Sequence, residues 1–267
     1  MQRSLFAGIS GLNVHQSMID VAANNIANVN TVGFKASSVV FEDALSQTLA
    51  GGGVSASGTG GTNPVQVGLG VKLAATNIDF TEGAPQNTGV PTNLMINGDG
   101  FFVVQKGATQ MYTRAGEFTR DATGHLVTAD GADLCDDTGV PIDISVLDSG
   151  TYVSYAIAQD GSINATKADG TSDKIGQVGL ATFANPNGLQ KMGDNEYTMS
   201  STSGAPVMGI PMSGSHGSLS AGYLEGSNVD LSRELTNLIV AERGFQANSK
   251  SITTSDEVLQ TLVNLKN

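Results

Sequence analysis

Four carboxylates in a short stretch are the first residues with the type and spacing that chemistry requires. Asp130, Asp133, Asp136 and Asp137 could bind a hard cation through their oxygen atoms. Their register departs from the EF-hand loop pattern, however, and Asp-Gly and Asp-Thr-Gly are common turn sequences. The favoured interpretation is therefore hairpin turns, with a metal-dependent enzyme as the weaker alternative.

The histidines and the cysteine do not complete a reactive site. His15, His125 and His216 are far apart in the sequence, with none of the HxH, HExxH or CxxC spacings of metal and catalytic sites. Cys135 is the only cysteine, and its acidic neighbours would not stabilise a thiolate. We therefore expect that the protein is not an enzyme and that it binds no metal and no cofactor.

Asparagine side chains offer a different chemistry near the N-terminus, in the segment ANNIANVNTVGFK. On a helix, Asn24, Asn25 and Asn28 share one side, while Ile26 lies opposite. Amides both donate and accept hydrogen bonds, so this face is predicted to contact a neighbouring copy and fix the register of packed helices. The alternative is a solvated polar face near a fraying helix end.

Heptad-like apolar stripes predict the helices that position these residues. The helices are expected over residues 3–29 and 229–265, and they are predicted to pack together as a coiled-coil-like arm. A two-helix arm leaves apolar surface uncovered, so further copies of the chain are expected to cover it. The alternative is a pair of ordinary amphipathic helices on a globular body. The stripes comprise Leu5, Ile9, Leu12, Ile19 and Ile26 at the N-terminus, and Leu231, Leu235, Leu238, Phe245, Ile252, Leu259 and Leu262 at the C-terminus.

Four further residues mark special positions, one inside the C-terminal helix and three where the chain leaves the N-terminal helix. Gly244 interrupts the C-terminal helix and is predicted to let another backbone approach closely, with simple tolerance as the alternative. Asn30 and Gly33 suit the turn that leaves the first helix. Phe34 is expected to anchor the start of the following connector. Together, Asn30, Gly33 and Phe34 form the predicted junction between the helical arm and the β-rich domain.

Charge and composition exclude several classes of protein. The formal net charge of −12 lies almost entirely between the two terminal helices, and no basic cluster is present to meet phosphate, so a nucleic-acid partner is not expected. A single cysteine permits no intrachain disulfide. The N-terminus lacks the features of a cleaved secretory signal, and no apolar run is long enough for membrane insertion.

Between the helices the sequence is β-rich, which predicts an α+β protein with a central antiparallel domain. The predicted domains are a helical one over 1–30 and 228–267, a connector with a Gly/Ser/Thr-rich loop over 31–64, and a β-rich domain over 65–227. Period-two patterns and turn pairs predict strands over 65–73, 94–96, 101–105, 125–128, 142–147, 152–158, 177–183 and 219–223.

Three segments of the sequence resemble those of the flagellar rod and hook protein family. They are MQRSLFAGISGLNVHQSMIDVAANNIANVNTVGFK, the ending SNVDLSRELTNLIVAERGFQANSKSITTSDEVLQTLVNL, and VGLGVKLAATNIDFTEGAPQNTG followed by NGDGFFVV. The resemblance covers most of the chain apart from residues 135–175. It implies an axial component of the bacterial flagellum whose terminal helices form the core of a tube.

The resemblance also implies a function and partners. The chain is expected to be a subunit of the flexible flagellar hook, which transmits motor torque; the alternatives are the distal rod of the basal body and, less favoured, a surface-displayed binding module. Implied partners are other copies of itself, the rod, hook-cap and hook–filament junction proteins, and the flagellar type III export apparatus, which needs no cleaved signal peptide. In some hook proteins a cysteine is cross-linked to a lysine, for which only Cys135 is available here.

Overall fold

The computed structural model describes residues 2–53, 60–149 and 151–265, and these form an α+β protein, as predicted. A helix lies at each end, α1 over Gln2–Ala27 and α2 over Leu231–Leu265. The chain divides into two compact units. The first unit comprises Met1–Ala27, Ser37–Ile78 and Asp230–Asn267, and the second comprises Asn28–Ala36 and Asp79–Val229.

Strand pairing assigns residues 37–78 to the first unit, whereas the sequence suggested a connector over 31–64 and a β-rich domain from residue 65. Strand β1 (Ser37–Asp43) pairs antiparallel with β4 (Val71–Ile78). Strand β2 (Ser46–Ala50) pairs in the same way with β3 (Val65–Gly68). The centre of the predicted glycine-rich loop, residues 54–59, lies outside the described residues.

The single strand predicted over residues 65–73 is two strands, because Gly70 interrupts it. Gly70 has a φ of +126°, a conformation that glycine adopts readily and other residues rarely do. A Cβ at this position would overlap the Ser10 hydroxyl of α1. That hydroxyl accepts a hydrogen bond from the backbone N–H of Val71 at 3.3 Å. The turn before β4 is thereby fixed against α1.

Helices α1 and α2 pack against each other through small residues. A Cβ on Gly8 would lie 3.0 Å from Cγ1 of Ile252, and one on Gly11 would lie 2.5 Å from Nδ2 of Asn248. Glycine in a helix interior costs about 1 kcal/mol relative to alanine. Here the glycines allow α1 and α2 to approach each other closely, and a larger residue at either position would obstruct that packing.

The buried seam of α1 differs from the predicted stripe. Leu5, Leu12, Ile19 and Ile26 are half-buried, and Ile9 is exposed. The fully buried positions of α1 are Gly8, Gly11, Val14, Ala22 and Asn25. Large apolar residues at heptad spacing suggested the seam, but small residues and one amide occupy it because they permit closer packing.

Gly244 of α2 faces a side chain of α1, where the sequence predicted another backbone. A Cβ there would overlap the imidazole of His15. The same ring lies edge-on to Phe41 of β1, with 6.4 Å between the ring centroids. Within the first unit, the missing side chain of Gly244 therefore makes room for the His15 ring.

The second unit consists of short strands, all paired antiparallel. The strands are β5 (Pro85–Asn87), β6 (Leu94–Asn97), β7 (Phe101–Lys106), β8 (Thr109–Thr113), β9 (Thr119–Arg120), β10 (Leu126–Val127), β11 (Asp133–Leu134), β12 (Tyr152–Ile157), β13 (Ser162–Lys167), β14 (Ser172–Gln177), β15 (Leu180–Thr182), β16 (Gln190–Gly193), β17 (Glu196–Thr198), β18 (Val207–Gly209), β19 (Ser218–Ala221) and β20 (Tyr223–Glu225). The large sheet has the order β16-β17-β8-β7-β11-β10-β9, and β15 pairs with β7 and β18. Smaller sheets are formed by β12-β13-β14, β6-β19 and β5-β20.

Three predicted strands of this unit are wrong in extent or type, over residues 142–147, 177–183 and 219–223. The last of these is divided between β19 and β20 at Gly222, which has a φ of +82°. Over residues 142–147 the carboxylate of Asp143 accepts a hydrogen bond from the N–H of Ser145 at 2.7 Å, and a 3-10 helix follows over Ser145–Ser149. The strand predicted over 177–183 is divided between the end of β14 and β15, at Gly179, whose Cα packs against the backbone of Asp136. Local turn chemistry overrides the apolar pattern in the first case.

One apolar core lies inside the second unit. Its buried residues come from most of the sheets and from the loops between them. They are Leu94, Ile96, Phe102, Val104, Met111, Phe118, Leu126, Ala132, Leu134, Ile142, Ile144, Ile157, Ile163, Val178, Leu180 and Leu219.

Candidate assembly surface and junction

An exposed apolar stripe runs along the first two turns of α2. Leu231, Leu235 and Ile239 are spaced by four residues, so they share one face of the helix. Their exposures are 43%, 51% and 57%. A contiguous exposed apolar surface of this kind is typical of an interaction site. This face of α2 is therefore available to another protein.

The other residues predicted for assembly fall into two groups. Leu262 near the end of α2 is also exposed, as is Phe6 of α1. Among the residues of α2 predicted for assembly, five are half-buried, and they are Leu238, Gly244, Phe245, Ile252 and Leu259. Gly244 and Ile252 lie against α1 within the first unit. The exposed apolar surface of α2 also includes Val240, Val258 and Val263.

Asn25 is buried in its own chain, and the prediction that it contacts a neighbouring copy is wrong. Its side chain is 1% exposed. The amide Nδ2 donates to the carbonyl of Ser37 at 2.8 Å, and Oδ1 accepts from the N–H of Ser37 at 3.0 Å. Asn25 thus pairs with both backbone groups at the start of β1, as another strand would.

The remaining asparagines lie at the end of α1 and in the turn that follows. Asn24 is exposed on α1. Asn28 stabilises the turn, because its backbone oxygen accepts from the N–H of Thr31 and its Oδ1 accepts from the Thr31 hydroxyl, both at 3.1 Å. Asn30 is exposed in the same turn. The three amides predicted to act together therefore have different roles.

Gly33 lies in this turn and Phe34 directly follows it, and both residues are buried. Gly33 has a φ of +68°, and a Cβ on it would overlap the backbone of Ala115. Its N–H donates to the carbonyl of Glu225 at 2.8 Å. The ring of Phe34 lies under the ammonium group of Lys191, 4.9 Å from the ring centroid.

A buried cluster of charges, Lys35, Arg114 and Glu225, lies directly after this turn. The ammonium of Lys35 lies 2.5 Å from Oε1 of Glu225, and both side chains are almost completely buried. Nη1 of Arg114 lies 3.5 Å from Oε2 of the same carboxylate. Oε1 also accepts from the N–H of Gly83 at 3.0 Å, and Lys35 donates to the carbonyl of Thr81 at 2.7 Å.

Burial lowers the pKa of Lys35, and the carboxylate of Glu225 opposes that change. Buried charges are tolerated where pairing and hydrogen bonds compensate for lost hydration. This cluster could not be predicted from the sequence because its members are far apart in the chain. The only local signal is a lysine between buried positions, in the segment Gly33-Phe34-Lys35-Ala36.

Asn228 holds the neighbouring backbone segments of the second unit together. Its Oδ1 accepts from the N–H of Ala36 at 2.8 Å, and its Nδ2 donates to the carbonyl of Asp79 at 2.7 Å. The N–H of Asp79 donates to the carbonyl of Ala36 at 2.8 Å. One amide thus joins the three segments next to residues 37, 78 and 230, where the chain passes between the units.

Asp136 and His216, two of the residues considered for chemistry, have local structural partners. Oδ1 of Asp136 accepts from the N–H groups of Thr138 and Val140, both at 2.9 Å, as expected of a turn. The ring nitrogens of His216 lie within hydrogen-bonding distance of the carbonyls of Ser213 and Val207. Within residues 2–53, 60–149 and 151–265, no group of three or more potential metal-binding side chains converges.

Cys135 is completely buried. Burial raises the pKa of its thiol to about 12, with smaller contributions from the carboxylates of Asp136 and Asp133. A thiol must be deprotonated to act as a nucleophile. In this fold, Cys135 is thus poorly suited to form the cross-link known from some hook proteins.

Comparison with known proteins identifies the family. Three family models match: the flagella basal body rod protein at residues 5–35, the flagellar hook protein FlgE/F/G D1 domain at 95–165, and the flagellar basal body rod FlgEFG protein C-terminal region at 220–265. The flagellar basal-body rod protein FlgG of Bacillus subtilis is 48% identical over 267 residues, covering 100% of both chains. The chain belongs to the flagellar rod and hook protein family.

Rod and hook members of this family can be compared within one organism. In Borreliella burgdorferi, the basal-body rod protein FlgG is 37% identical over 273 positions, covering 100% of this chain and 99% of that protein. The hook protein FlgE of the same organism is 28% identical over 442 positions, covering 100% of each. As a rod and hook family member, the chain is a structural component of the flagellar axis. No helix in its described part is long and apolar enough to span a membrane.

Replacing Gly33 should destabilise the protein more than replacing another glycine that has a similar backbone conformation. Gly107 has nearly the same φ, +65°, but a Cβ there would meet nothing within 4 Å. Gly107→Ala should cost about 1 to 2 kcal/mol from the backbone conformation alone. Gly33→Ala should cost about 3 kcal/mol or more, because it adds a clash with Ala115. Urea unfolding measures both, and equal losses would contradict the close approach at Gly33.

Removing the Asn25 amide should destabilise the first unit. Asn25→Ala leaves both backbone groups of Ser37 without this partner, at a cost of about 1 to 3 kcal/mol. The control is Asn13→Ala on the exposed side of α1, which should be neutral or slightly stabilising because alanine favours helices. Unfolding followed by circular dichroism compares the two, and a neutral Asn25→Ala would rule out the proposed role of the amide.

Proposed function

We propose that this chain is a subunit of the distal rod of the flagellar basal body. The main support for this proposal is the 48% identity to a FlgG rod protein, with full coverage of both chains. The resemblance of the sequence segments favoured the hook, with the distal rod as the alternative. Within one organism, the higher identity to the rod protein than to the hook protein supports that alternative.

The subunits of this rod would associate through their terminal helices. The exposed stripe of Leu231, Leu235 and Ile239 supports this, because covering it with another copy would remove apolar area from water. Burying one leucine or isoleucine side chain contributes about 1.5 to 3 kcal/mol. We therefore propose this face of α2 as the surface through which the self-association expected from the sequence takes place.

A stiff rod also benefits from a braced helix. In the first unit, α1 contacts the β1–β4 pair, where Phe41 meets the His15 ring and Val71 hydrogen-bonds to Ser10. These contacts oppose bending of α1 within one subunit. We propose that they favour a straight segment that transmits torque without flexing.

The proposed partners follow from this position. They are other copies of the chain, the neighbouring axial proteins at either end of the distal rod, and the flagellar type III export apparatus. Export through that apparatus would require no cleaved signal peptide, and the assembled protein would lie in the axial structure outside the inner membrane.

Labelling of isolated hook–basal bodies tests the choice between rod and hook. A short epitope inserted between Asp169 and Gly170 lies in an exposed turn, where a Cβ on Gly170 would meet nothing within 4 Å. The control carries the same epitope between Lys106 and Gly107. Gold-labelled antibody should mark the straight segment below the hook in both cases. Label along the curved hook would overturn the distal-rod assignment and restore the hook.

A charge placed in the exposed stripe of α2 should block assembly without unfolding the subunit. Leu235→Glu should raise the concentration at which the purified chain forms sedimenting polymers by about tenfold or more, given the apolar burial lost. Thr236→Glu is the control, since it adds the same charge at the adjacent exposed position. Both variants should keep the melting temperature of the starting chain. Equal assembly of both would show that the stripe is not an interface.

A further inference from the structure

A cavity in the second unit lies beside the turn that follows α1. It has a volume of about 610 Å³. Residues 30–32 form one wall, and the start of β17 and the loop before β11 form others. Four carboxylates line it, and they are Glu117, Asp130, Asp194 and Glu196. We call this cavity the acidic pocket.

Glu196 is the one carboxylate of the acidic pocket that is buried. It is 6% exposed, and its Oε1 has no hydrogen-bond partner among the described residues. A buried carboxylate that lacks a partner is costly, because it loses hydration without compensation. The position of Glu196 is nevertheless fixed, because it pairs with Thr113 of β8 at the start of β17.

The nearest cation compensates a different carboxylate. Lys106 lies 2.9 Å from Oδ2 of Asp130 and is itself about half exposed. Burial raises the pKa of Glu196, and Asp130 and Asp194 raise it further against the opposing charge of Lys106. The acidic pocket of the single chain therefore holds more negative charge than its own residues neutralise.

The shape and charge of the acidic pocket select its ligand. No three potential metal-binding side chains converge in the part of the chain that the structure describes, which disfavours a bound metal ion. The volume is ample for the end of a long side chain. We infer that the acidic pocket binds a lysine or arginine side chain of a second copy of this chain in the assembled axial structure.

A second copy is the partner that self-assembly brings close, so the inference rests on the self-association in the proposed function. The chain supplies suitable side chains. Lys174 of β14 and Arg243 and Lys250 of α2 are exposed, and the described residues hold no ion pair for any of them. An ammonium or guanidinium placed beside Glu196 would supply the missing partner and favour one arrangement of neighbouring subunits.

Glu196→Gln separates the interface role of the carboxylate from its effect on the fold. The substitution keeps the shape and removes the buried charge, so the melting temperature of the monomer should stay the same or rise. The concentration at which polymers form should nevertheless rise about tenfold or more, because the basic side chain loses its partner. Asp169→Asn is the control, since it removes one charge from an exposed hairpin and should leave assembly unchanged.

Two results would overturn the inference. One is an unchanged polymerisation threshold in Glu196→Gln alongside normal assembly of the starting chain, and the other is an equal rise in Asp169→Asn. Asp194→Asn provides a second variant in case Glu196→Gln unfolds, because asparagine tolerates the φ of 49° found there. It should raise the threshold in the same direction. Failure of this pocket would leave assembly through α2 intact, whereas failure of Leu235→Glu to impair assembly would count against the stripe alone.

Discussion

The turn that follows α1 and the backbone segments around it depend on the buried pairing of Lys35 with Glu225. This pairing joins a residue just after the first helix to one just before the last, across 190 positions of sequence. A charged pair without access to water requires hydrogen bonds on its remaining atoms. Gly83, Thr81 and Arg114 provide these, so the carboxylate organises several backbone segments of the second unit.

The surrounding residues make this arrangement specific. Gly33 adopts a conformation that brings its N–H to the carbonyl of Glu225, and Asn228 joins Ala36 to Asp79. Removing hydration from these polar groups would be unfavourable unless each found its partner. Hydrogen bonds and ion pairs therefore hold the segment after α1 in place, whereas hydrophobic burial dominates the core of the second unit.

The sequence predicted the features that depend on local pattern. The two helices, the α+β class and the turn at Gly33 follow from apolar periodicity and from glycine chemistry. The seam of α1 could not be predicted in this way, because Gly8 and Gly11 are buried by their closeness to α2 and carry no apolar signal. Asn25 was placed on the correct helix but given the wrong partner, since its bonds to Ser37 require the chain to turn back.

The buried cluster of Lys35, Arg114 and Glu225 and many of the strands could not be predicted from the sequence, for a related reason. Nothing near Lys35 indicates Glu225, and the acidic pocket combines Asp130 and Glu196 from separate parts of the chain. In strand β13, with the sequence SINATK, the alternation rests on Ile163 and Ala165 alone, and strand β14, with the sequence SDKIGQ, shows no alternation of apolar and polar residues. Their pairing within one sheet determines their conformation more than their side chains do.

Cys135 gives the molecule a practical property. The only thiol of the chain is enclosed and held in its protonated form, so thiol-reactive probes would modify it slowly in the folded protein. A cysteine introduced at any exposed position would react far faster. The native sequence is thus already suited to attaching a single fluorophore or spin label at a chosen site, with no need to remove a competing cysteine first.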